Sequence, residues 1–264
     1  MTSASTPLRV GLIGLGAIGL GAVRAATAAG SDDLVFVGAL VRDPGRVRRG
    51  THPPTVATLE ELIGLDPSVV VECAGPAALR QYGAAVLRAG RDLLVVSAGA
   101  LADAHVLASM REAARDGGAR MWILSGAIGG LDAIAAASLG TVRSVTHTIR
   151  KPARTLMGAE VRATEAVELY RGPSGLGIAR FPDSANVAAA VSLAGIGFEA
   201  TQLRVIADPG VTRNEHVIEV SGDFGDFRLE FHGVPTDDNP RTSRLAPLSV
   251  ARALRDLTAT VVVR

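Results

Sequence analysis

Three glycines near the start of the chain have the spacing of a phosphate-binding turn, G-x-G-x-x-G. They follow an apolar run at residues 8–13 and precede an alanine-rich stretch at 20–29, so the turn joins a buried strand to a helix. In such a turn the first glycine permits the sharp bend, the second lets a pyrophosphate approach the backbone, and the third lets the helix pack against the strand. The pattern predicts dinucleotide binding with the phosphates at the helix N-terminus, and a purely structural glycine turn is the alternative. The predicted cofactor-binding residues of the turn are Gly14, Gly16, Ala17, Ile18 and Gly19.

The end of the second predicted strand bears on which dinucleotide is bound. In folds of this type an acidic residue there hydrogen-bonds the ribose 2′-hydroxyl, whereas an arginine accommodates a 2′-phosphate. Here Val41 occupies the place of the acid and Arg42 follows it, which favours NADP over NAD. Asp43 is close enough to reach the ribose instead, and an ordinary solvated basic loop is the third interpretation. More arginines follow in the same loop: Arg46, Arg48 and Arg49.

Histidines are the natural candidates for proton transfer, because the pKa of imidazole lies near neutrality. His216 lies in an alternating stretch on the same predicted face as Ile218 and Val220. A histidine on an apolar face is more often a core residue than a catalyst. From the residues alone, His216 is therefore one candidate among five, and the others are His52, His105, His147 and His232.

The first half of the chain alternates predicted strands and helices. Continuous apolar runs predict parallel strands that are buried on both faces, at residues 8–13, 34–41, 69–72, 92–96 and 120–124. Helices are predicted between them at 19–29, 58–63, 76–89 and 102–116. This alternation predicts an α/β fold, a Rossmann-type doubly wound parallel sheet that binds its ligand at the carboxyl ends of the strands.

The pattern changes after about residue 125. Apolar and polar side chains alternate at 142–150, 203–207, 216–221 and 227–232, which predicts a mainly antiparallel sheet with one solvated face. Helices are predicted at 185–194 and 245–257. We therefore expect a dinucleotide-binding domain over residues 1–125, a second α+β domain with the substrate side of the site over 126–240, and a C-terminal helix within 241–264 that packs back on the first domain.

The composition of the chain indicates which kinds of binding partner and which cellular compartment to expect. The 264 residues carry a net charge of +1 and one cysteine, so we expect a small-molecule substrate, no nucleic-acid partner and no membrane association. A single cysteine excludes an intrachain disulfide and fits the cytoplasm. Residues 1–7 lack the apolar region of a signal peptide, and no spacing of metal-ligating side chains predicts a metal site.

Several segments spread over nearly the whole chain resemble the L-aspartate dehydrogenase family. They comprise VVSAGALAD at 95–103, SGAIGGLD at 125–132, RKP at 150–152, NVAAA at 186–190, LAGIG at 193–197, NEHVI at 214–218, GDFG at 222–225 and NPRTS at 239–243. Membership would imply reversible, NAD(P)-dependent oxidative deamination of L-aspartate to iminosuccinate, which water converts to oxaloacetate and ammonia. The resemblance also implies a homodimer.

The resemblance assigns roles to three residues. Ala127 and Asn186 lie where family members contact the nicotinamide cofactor, and His216 occupies the place of the active-site histidine. The residues themselves leave alternatives open, since Asn186 is also a good helix N-cap and the glycines around Ala127 also suit a tight turn.

A dicarboxylate substrate requires cations or clustered hydrogen-bond donors. Ser97 is a candidate because it follows the fourth predicted strand at the ligand-binding edge, and the cations and hydroxyls of the family-like motifs are others, although solvated surface groups are the alternative for each. The remaining candidates are Arg150, Lys151, Arg241, Thr242 and Ser243.

The resemblance weakens between residues 153 and 184. Family members often carry a lysine and an asparagine just before the NVAAA segment, where this chain has Asp183 and Ser184. If Asp183 faces the site it would repel an anionic substrate, whereas nothing follows if it faces solvent. Two alternatives therefore stay open: an NADP-dependent reductase of a different imine or carbonyl compound on the same fold, and a non-catalytic NADP-binding regulatory protein.

Overall fold

The computed structural model describes residues 6–30, 33–46, 53–158, 163–239 and 241–263. The chain divides into two compact units. Unit 1 contains Met1–Ala100, Ala104–Leu124 and Ala246–Arg264, and unit 2 contains Leu101–Asp103 and Ser125–Leu245.

Unit 1 is built on a parallel sheet. Its strands are β1 (Leu8–Ile13), β2 (Leu34–Leu40), β3 (Thr55–Val56), β4 (Val69–Glu72), β5 (Asp92–Val95) and β6 (Met121–Ile123). Its helices are α1 (Ala17–Ala28), α2 (Leu59–Gly64), α3 (Pro76–Arg88) and α4 (Ala104–Gly117). The strands are ordered β3-β2-β1-β4-β5-β6 and all their pairings are parallel. The predicted Rossmann-type fold is confirmed, because this is the strand order of the dinucleotide-binding sheet.

The residue pattern explains this sheet. Val10 and Leu12 on β1 and Val69 and Val71 on β4 are essentially inaccessible to solvent, as expected for central strands covered on both faces. Local signals start the helices: Thr58 caps α2 in a capping box with Glu61, and α3 begins with a proline. The predicted strands at 8–13 and 69–72 match the observed bounds, and the predicted ends of the others differ by one residue.

Unit 2 contains a mixed five-stranded sheet. Its strands are β7 (Val142–Pro152), β8 (Val167–Pro173), β9 (Gln202–Asp208), β10 (Glu215–Gly222) and β11 (Gly225–His232), in the order β11-β10-β7-β9-β8. Its helices are α5 (Leu131–Ala137), α6 (Ala153–Met157), α7 (Ser174–Arg180), α8 (Ala185–Ala194) and α9 (Gly197–Ala200). The pairing is antiparallel except between β7 and β9, so the mainly antiparallel sheet that we predicted is present.

The two faces of this second sheet differ in character, as the alternating pattern predicts. On one face, Val145, Ile218 and Val220 pack with residues of α5 and α8 in a buried core. The other face carries ion pairs, among them Arg150 with Asp208. Side chains of odd number on β7 and of even number on β10 therefore point into the packed side.

The last helix, α10 (Leu245–Asp256), places Val250 and Leu254 in the same buried cluster as Val10 and Leu12 of β1. In the described part of the chain, no helix is both long and apolar enough to cross a membrane.

Candidate functional site

Two of the three glycines of the predicted phosphate-binding turn are required by close contacts, and the third faces open space. Gly14 has φ +97°, and a Cβ there would lie 2.8–2.9 Å from atoms of Ala74. A Cβ on Gly19 would lie 2.5 Å from the Gly14 carbonyl oxygen. A Cβ on Gly16, by contrast, would meet no described atom within 4 Å, and no side chain caps the start of α1 there. Open space before uncapped N–H groups is what a pyrophosphate needs, so the turn fits a dinucleotide.

The end of β2 presents Arg42 to solvent, directly after Val41. The Asp43 carboxylate accepts a hydrogen bond of 3.0 Å from the Gly45 amide, so one of its oxygens is engaged in the local turn. Arg48, Arg49 and His52 lie outside the described residues. Arg42 is therefore an exposed arginine at this strand end and is available to a 2′-phosphate.

A buried carboxylate that the sequence analysis did not single out lies at the end of β4. Glu72 accepts hydrogen bonds of 2.9–3.0 Å from the amides of Ala74, Gly75 and Ser97 and one of 3.0 Å from the Ser97 hydroxyl. Burial raises the pKa of Glu72, and these hydrogen bonds oppose the shift. Because Ala74 packs against Gly14, Glu72 holds the turn that supports the phosphate-binding glycine. A glutamate that ends an all-valine strand was the signal for it.

We expect Glu72→Leu to lower the free energy of unfolding by about 3–5 kcal/mol, because the buried amide and hydroxyl of Ser97 and the part-buried amides of Ala74 and Gly75 lose their acceptor. Ser97→Ala removes one of those donors and should lower it by about 1 kcal/mol. Urea unfolding of both variants measures the two losses. A Glu72→Leu protein as stable as the wild type would contradict this role of Glu72. Kinetics of Ser97→Ala test a separate prediction: a raised substrate KM would support contact between Ser97 and the substrate.

Two buried histidines meet on the packed face of the second sheet. His216 of β10 is 6% exposed and His147 of β7 is fully buried. The His216 Nδ1 atom lies 3.1 Å from the His147 Nε2 atom, and the ring planes are 25° apart with centroids 5.3 Å from each other. In the ladder His216 stands opposite Ile149, so His147 is its diagonal neighbour.

Burial keeps both imidazoles neutral. It lowers the pKa of His216 to about 4, with a smaller contribution from the positive charge of Lys151. Burial also lowers the pKa of His147 well below its ordinary value, assisted by the charge of a protonated His216. At pH 7 His216 therefore carries no charge and one of its two ring nitrogens bears no proton.

This depressed pKa makes stability depend on pH. Histidine in the unfolded chain binds protons as the pH falls below about 6.5, whereas folded His216 binds them only near pH 4. Its contribution to stability is therefore complete above pH 6.5 and is lost as the pH falls towards 4. Between pH 7 and pH 4 we expect the wild type to lose about 2–3 kcal/mol more unfolding free energy than His216→Gln. Urea unfolding at both pH values measures this difference, and equal losses would show that folded His216 titrates like an exposed histidine.

Lys151 lies on the same packed face as the two histidines. It is 5% exposed, and together with His147 it flanks Ile149, the residue opposite His216. Its ammonium donates a hydrogen bond of 3.2 Å to the main-chain carbonyl of Asp183. Burial lowers the pKa of Lys151; the charge of Asp183 opposes the shift and that of Arg241 adds to it. The structure thus brings Lys151 and Arg241 within electrostatic range of each other, which suits an anionic ligand.

Arg150, by contrast, points to the other face of the sheet. Its guanidinium pairs with Asp208 and lies 3.9 Å from the Glu215 carboxylate. Lys151 is therefore a better candidate than Arg150 for binding the substrate.

The start of α8 corrects one interpretation of Asn186. The N-cap of the helix is Ser184, so Asn186 lies inside the first turn and is not the cap. The Asn186 and Asp183 side chains are exposed, whereas the Ser184 hydroxyl is buried with no hydrogen-bond partner among the described residues. The amide of Asn186 thus faces outward from the helix start.

The remaining predicted site residues lie in turns. Ala127 sits between β6 and α5, next to Gly126, whose φ is +62°. The Thr242 amide donates to the Asn239 carbonyl, and the Ser243 hydroxyl accepts from the Leu245 amide at 3.3 Å. The Thr242 amide and the Ser243 hydroxyl are therefore engaged in the turn that leads into α10.

Comparison with known proteins identifies related sequences and structures. Residues 132–257 match the family model described as aspartate dehydrogenase, C-terminal, and residues 14–123 match the homoserine dehydrogenase NAD-binding domain. An aspartate dehydrogenase structure from Thermotoga maritima has a TM-score of 0.82 at 24% identity and covers 97% of this chain and 99% of its own, which shows a shared fold.

Closer relatives extend the likeness from fold to family. The L-aspartate dehydrogenase of Ruegeria pomeroyi is 44% identical, over 86% of this chain and 85% of its own length. That of Methanocella arvoryzae is 39% identical, over 94% and 96%. Identity at this level over nearly the full length confirms the resemblance carried by the motifs. The chain belongs to the L-aspartate dehydrogenase family of nicotinamide-dependent amino-acid dehydrogenases.

Proposed function

We propose that this chain catalyses the reversible NAD(P)-dependent oxidative deamination of L-aspartate, giving iminosuccinate that water converts to oxaloacetate and ammonia. One observation carries the proposal: a neutral histidine and a lysine are buried together on one sheet face, in a chain of this family. A histidine that can exchange a proton and a cation that can hold a carboxylate are the two groups that the reaction requires.

The cofactor is held, in this proposal, by the glycine turn before α1, with Ala127 and Asn186 on the nicotinamide side. When bound, the nicotinamide ring supplies the hydride acceptor and donor of the reaction. The open space in front of Gly16 supports the placing of the pyrophosphate.

His216 exchanges the proton through its Nε2 atom, because its Nδ1 atom faces His147. In the direction of deamination it takes a proton from the substrate ammonium or from the water that attacks the imine. A pKa of about 4 makes His216 a weak base at pH 7. The carboxylates of a bound substrate favour the imidazolium by their charge and raise that pKa towards neutrality.

Lys151 and Arg241 hold the substrate carboxylates, assisted by Thr242 and Ser243. The buried Lys151 ammonium donates its hydrogen bond to a neutral carbonyl, so it gains more from a carboxylate than a solvated lysine does.

Asp183 keeps a second candidate function open. The Asp183 side chain is exposed, and its main-chain carbonyl accepts the hydrogen bond from Lys151. The negative charge of the Asp183 carboxylate nevertheless raises the pKa of Lys151. If that carboxylate occupies the place of a substrate carboxylate, the substrate is a different imine or carbonyl compound that lacks the second acid group.

Arg42 sets the preference for NADP over NAD in this proposal. We expect Arg42→Ala to lower kcat/KM for NADPH by about tenfold or more, the effect of one lost charge-assisted hydrogen bond, and to leave kcat/KM for NADH unchanged. Steady-state kinetics with each cofactor measure both values. Equal losses with the two cofactors would contradict contact with the 2′-phosphate.

Oxidation of NADPH or NADH by oxaloacetate plus ammonia, followed by absorbance, tests the activity itself. Rapid oxidation that requires both oxaloacetate and ammonia supports the proposal. Cofactor binding without oxidation would move the assignment to the second candidate function, with Asp183→Lys as the variant to examine next. We also propose, from the family resemblance, that the enzyme is a homodimer, and from the single cysteine that it is cytoplasmic. Analytical ultracentrifugation tests the dimer by measuring the mass of the assembly.

A further inference from the structure

His147 is buried at a cost that packing does not explain. The ring is fully buried on β7, between Val145 and Ile149 on the same face. Its Nδ1 atom is buried and has no hydrogen-bond partner in the part of the chain that the structure describes. An apolar side chain would fill this position without leaving a polar atom unsatisfied. The reason for an imidazole at this position must therefore be the contact that its other nitrogen, Nε2, makes.

The other nitrogen, Nε2, meets the Nδ1 atom of His216 at 3.1 Å. This contact occupies the inner edge of the His216 ring and leaves Nε2 of His216 as its outer nitrogen. The near-parallel rings, 25° apart, restrict rotation of His216 about its side-chain bonds.

We propose that His147 is a positioning residue that accepts a hydrogen bond from the Nδ1–H of His216 and thereby leaves the Nε2 atom of His216 unprotonated towards the substrate. The inferred direction and the use made of that nitrogen rest on the proposed function, whereas the 3.1 Å contact between the two rings is a property of the protein alone.

The 3.1 Å distance fits a bond in either direction, so the direction is taken from the proton that His216 must accept in the proposed function. If His147 donated, neutral His216 would carry its proton on Nε2 and could accept none there. If His147 accepts, its own proton lies on its Nδ1 atom, and the Nε2 lone pair of His216 is free to take a proton from the substrate. The ring then becomes an imidazolium whose Nδ1–H still points at His147, so no proton leaves the pair. His147 thus acts like the orienting member of a catalytic triad, with a neutral ring as the acceptor.

Nitrogen-15 NMR of histidine-labelled protein at neutral pH tests the direction without any turnover. Protonated and bare ring nitrogens have well-separated shifts, and the five histidines make a small set to assign by substitution. We expect His216 to show a protonated Nδ1 and a bare Nε2. A protonated Nε2 on His216 would overturn the proposal.

Kinetics of two variants test the consequence. His147→Leu removes the acceptor and should lower kcat by about 10- to 100-fold, part of the usual effect of an acid–base group, while cofactor affinity is unchanged. His147→Gln offers an amide oxygen as acceptor and should recover part of that loss, and His232→Gln on the exposed face of β11 is the matched control.

The outcomes separate this inference from the proposed function. Equal kcat in wild type and both His147 variants would overturn it, as would a loss in His147→Leu that glutamine does not reduce. If His147→Leu fails to fold, the wild-type NMR result and the glutamine variant still decide. A His216 Nδ1–H in a protein that does not turn over L-aspartate would support the hydrogen bond and reject the substrate.

Discussion

Replacing His216 with alanine lowers kcat for oxidation of L-aspartate by about 10²–10⁴-fold, the range expected for loss of an acid–base group. The reason is that His216 combines three properties: it is buried, neutral at pH 7 and oriented by a second ring at 3.1 Å. The affinity for NADPH is unchanged, because the phosphate-binding turn belongs to unit 1 and His216 belongs to unit 2.

Steady-state kinetics and cofactor titration of the same preparation measure these two effects together. His232→Ala is the matched control, since His232 lies on β11 with its side chain exposed and paired with Glu215 and Glu230. A His216→Ala protein that turns over within a few-fold of the wild type would remove His216 from proton transfer.

Replacing Lys151 with methionine raises KM for L-aspartate and for oxaloacetate by about 10- to 100-fold, the effect of losing a charge-assisted hydrogen bond to a carboxylate. Methionine keeps the apolar stem in its buried position and removes the charge. The same change should raise the pKa of His216 above about 4, because the positive charge of Lys151 helps to lower it.

The neighbouring Arg150→Met is the matched control, because Arg150 points to the opposite face and pairs with Asp208. KM for both substrates and an NMR titration of His216 measure the two effects. A raised His216 pKa with an unchanged KM would show that Lys151 shapes the electrostatics of the site without holding the substrate.

The central strands of the parallel sheet in unit 1 were predictable because they are buried on both faces, whereas the two-residue edge strand β3 was not predicted. Continuous runs such as Val69–Glu72 leave little ambiguity, and the glycine turn is fixed by steric contacts only a few residues away. The segment from 153 to 184 was not predicted. Its strand β8 has half-exposed or exposed side chains, and its helices α6 and α7 are five and seven residues long, so neither periodicity is clear.

The site was predictable only in part, for a similar reason. His216 was one histidine among five until the family motifs singled it out. Its partner His147 is 69 residues away, and only the register between β7 and β10 places the two rings on adjacent positions of one face. Glu72 was visible as a glutamate at the end of a valine strand, but three of its four hydrogen-bond donors are backbone amides, which no side-chain pattern reveals.

Transfer of the Cα hydrogen of L-aspartate to the cofactor tests the central claim most directly. Purified protein would be incubated with L-aspartate deuterated at Cα and with NADP or NAD, and the reduced cofactor analysed by mass spectrometry. We predict deuterium in the reduced nicotinamide together with oxaloacetate and ammonia in equal amounts. No labelled cofactor from a folded protein that binds NADPH would contradict the assignment of L-aspartate as the substrate.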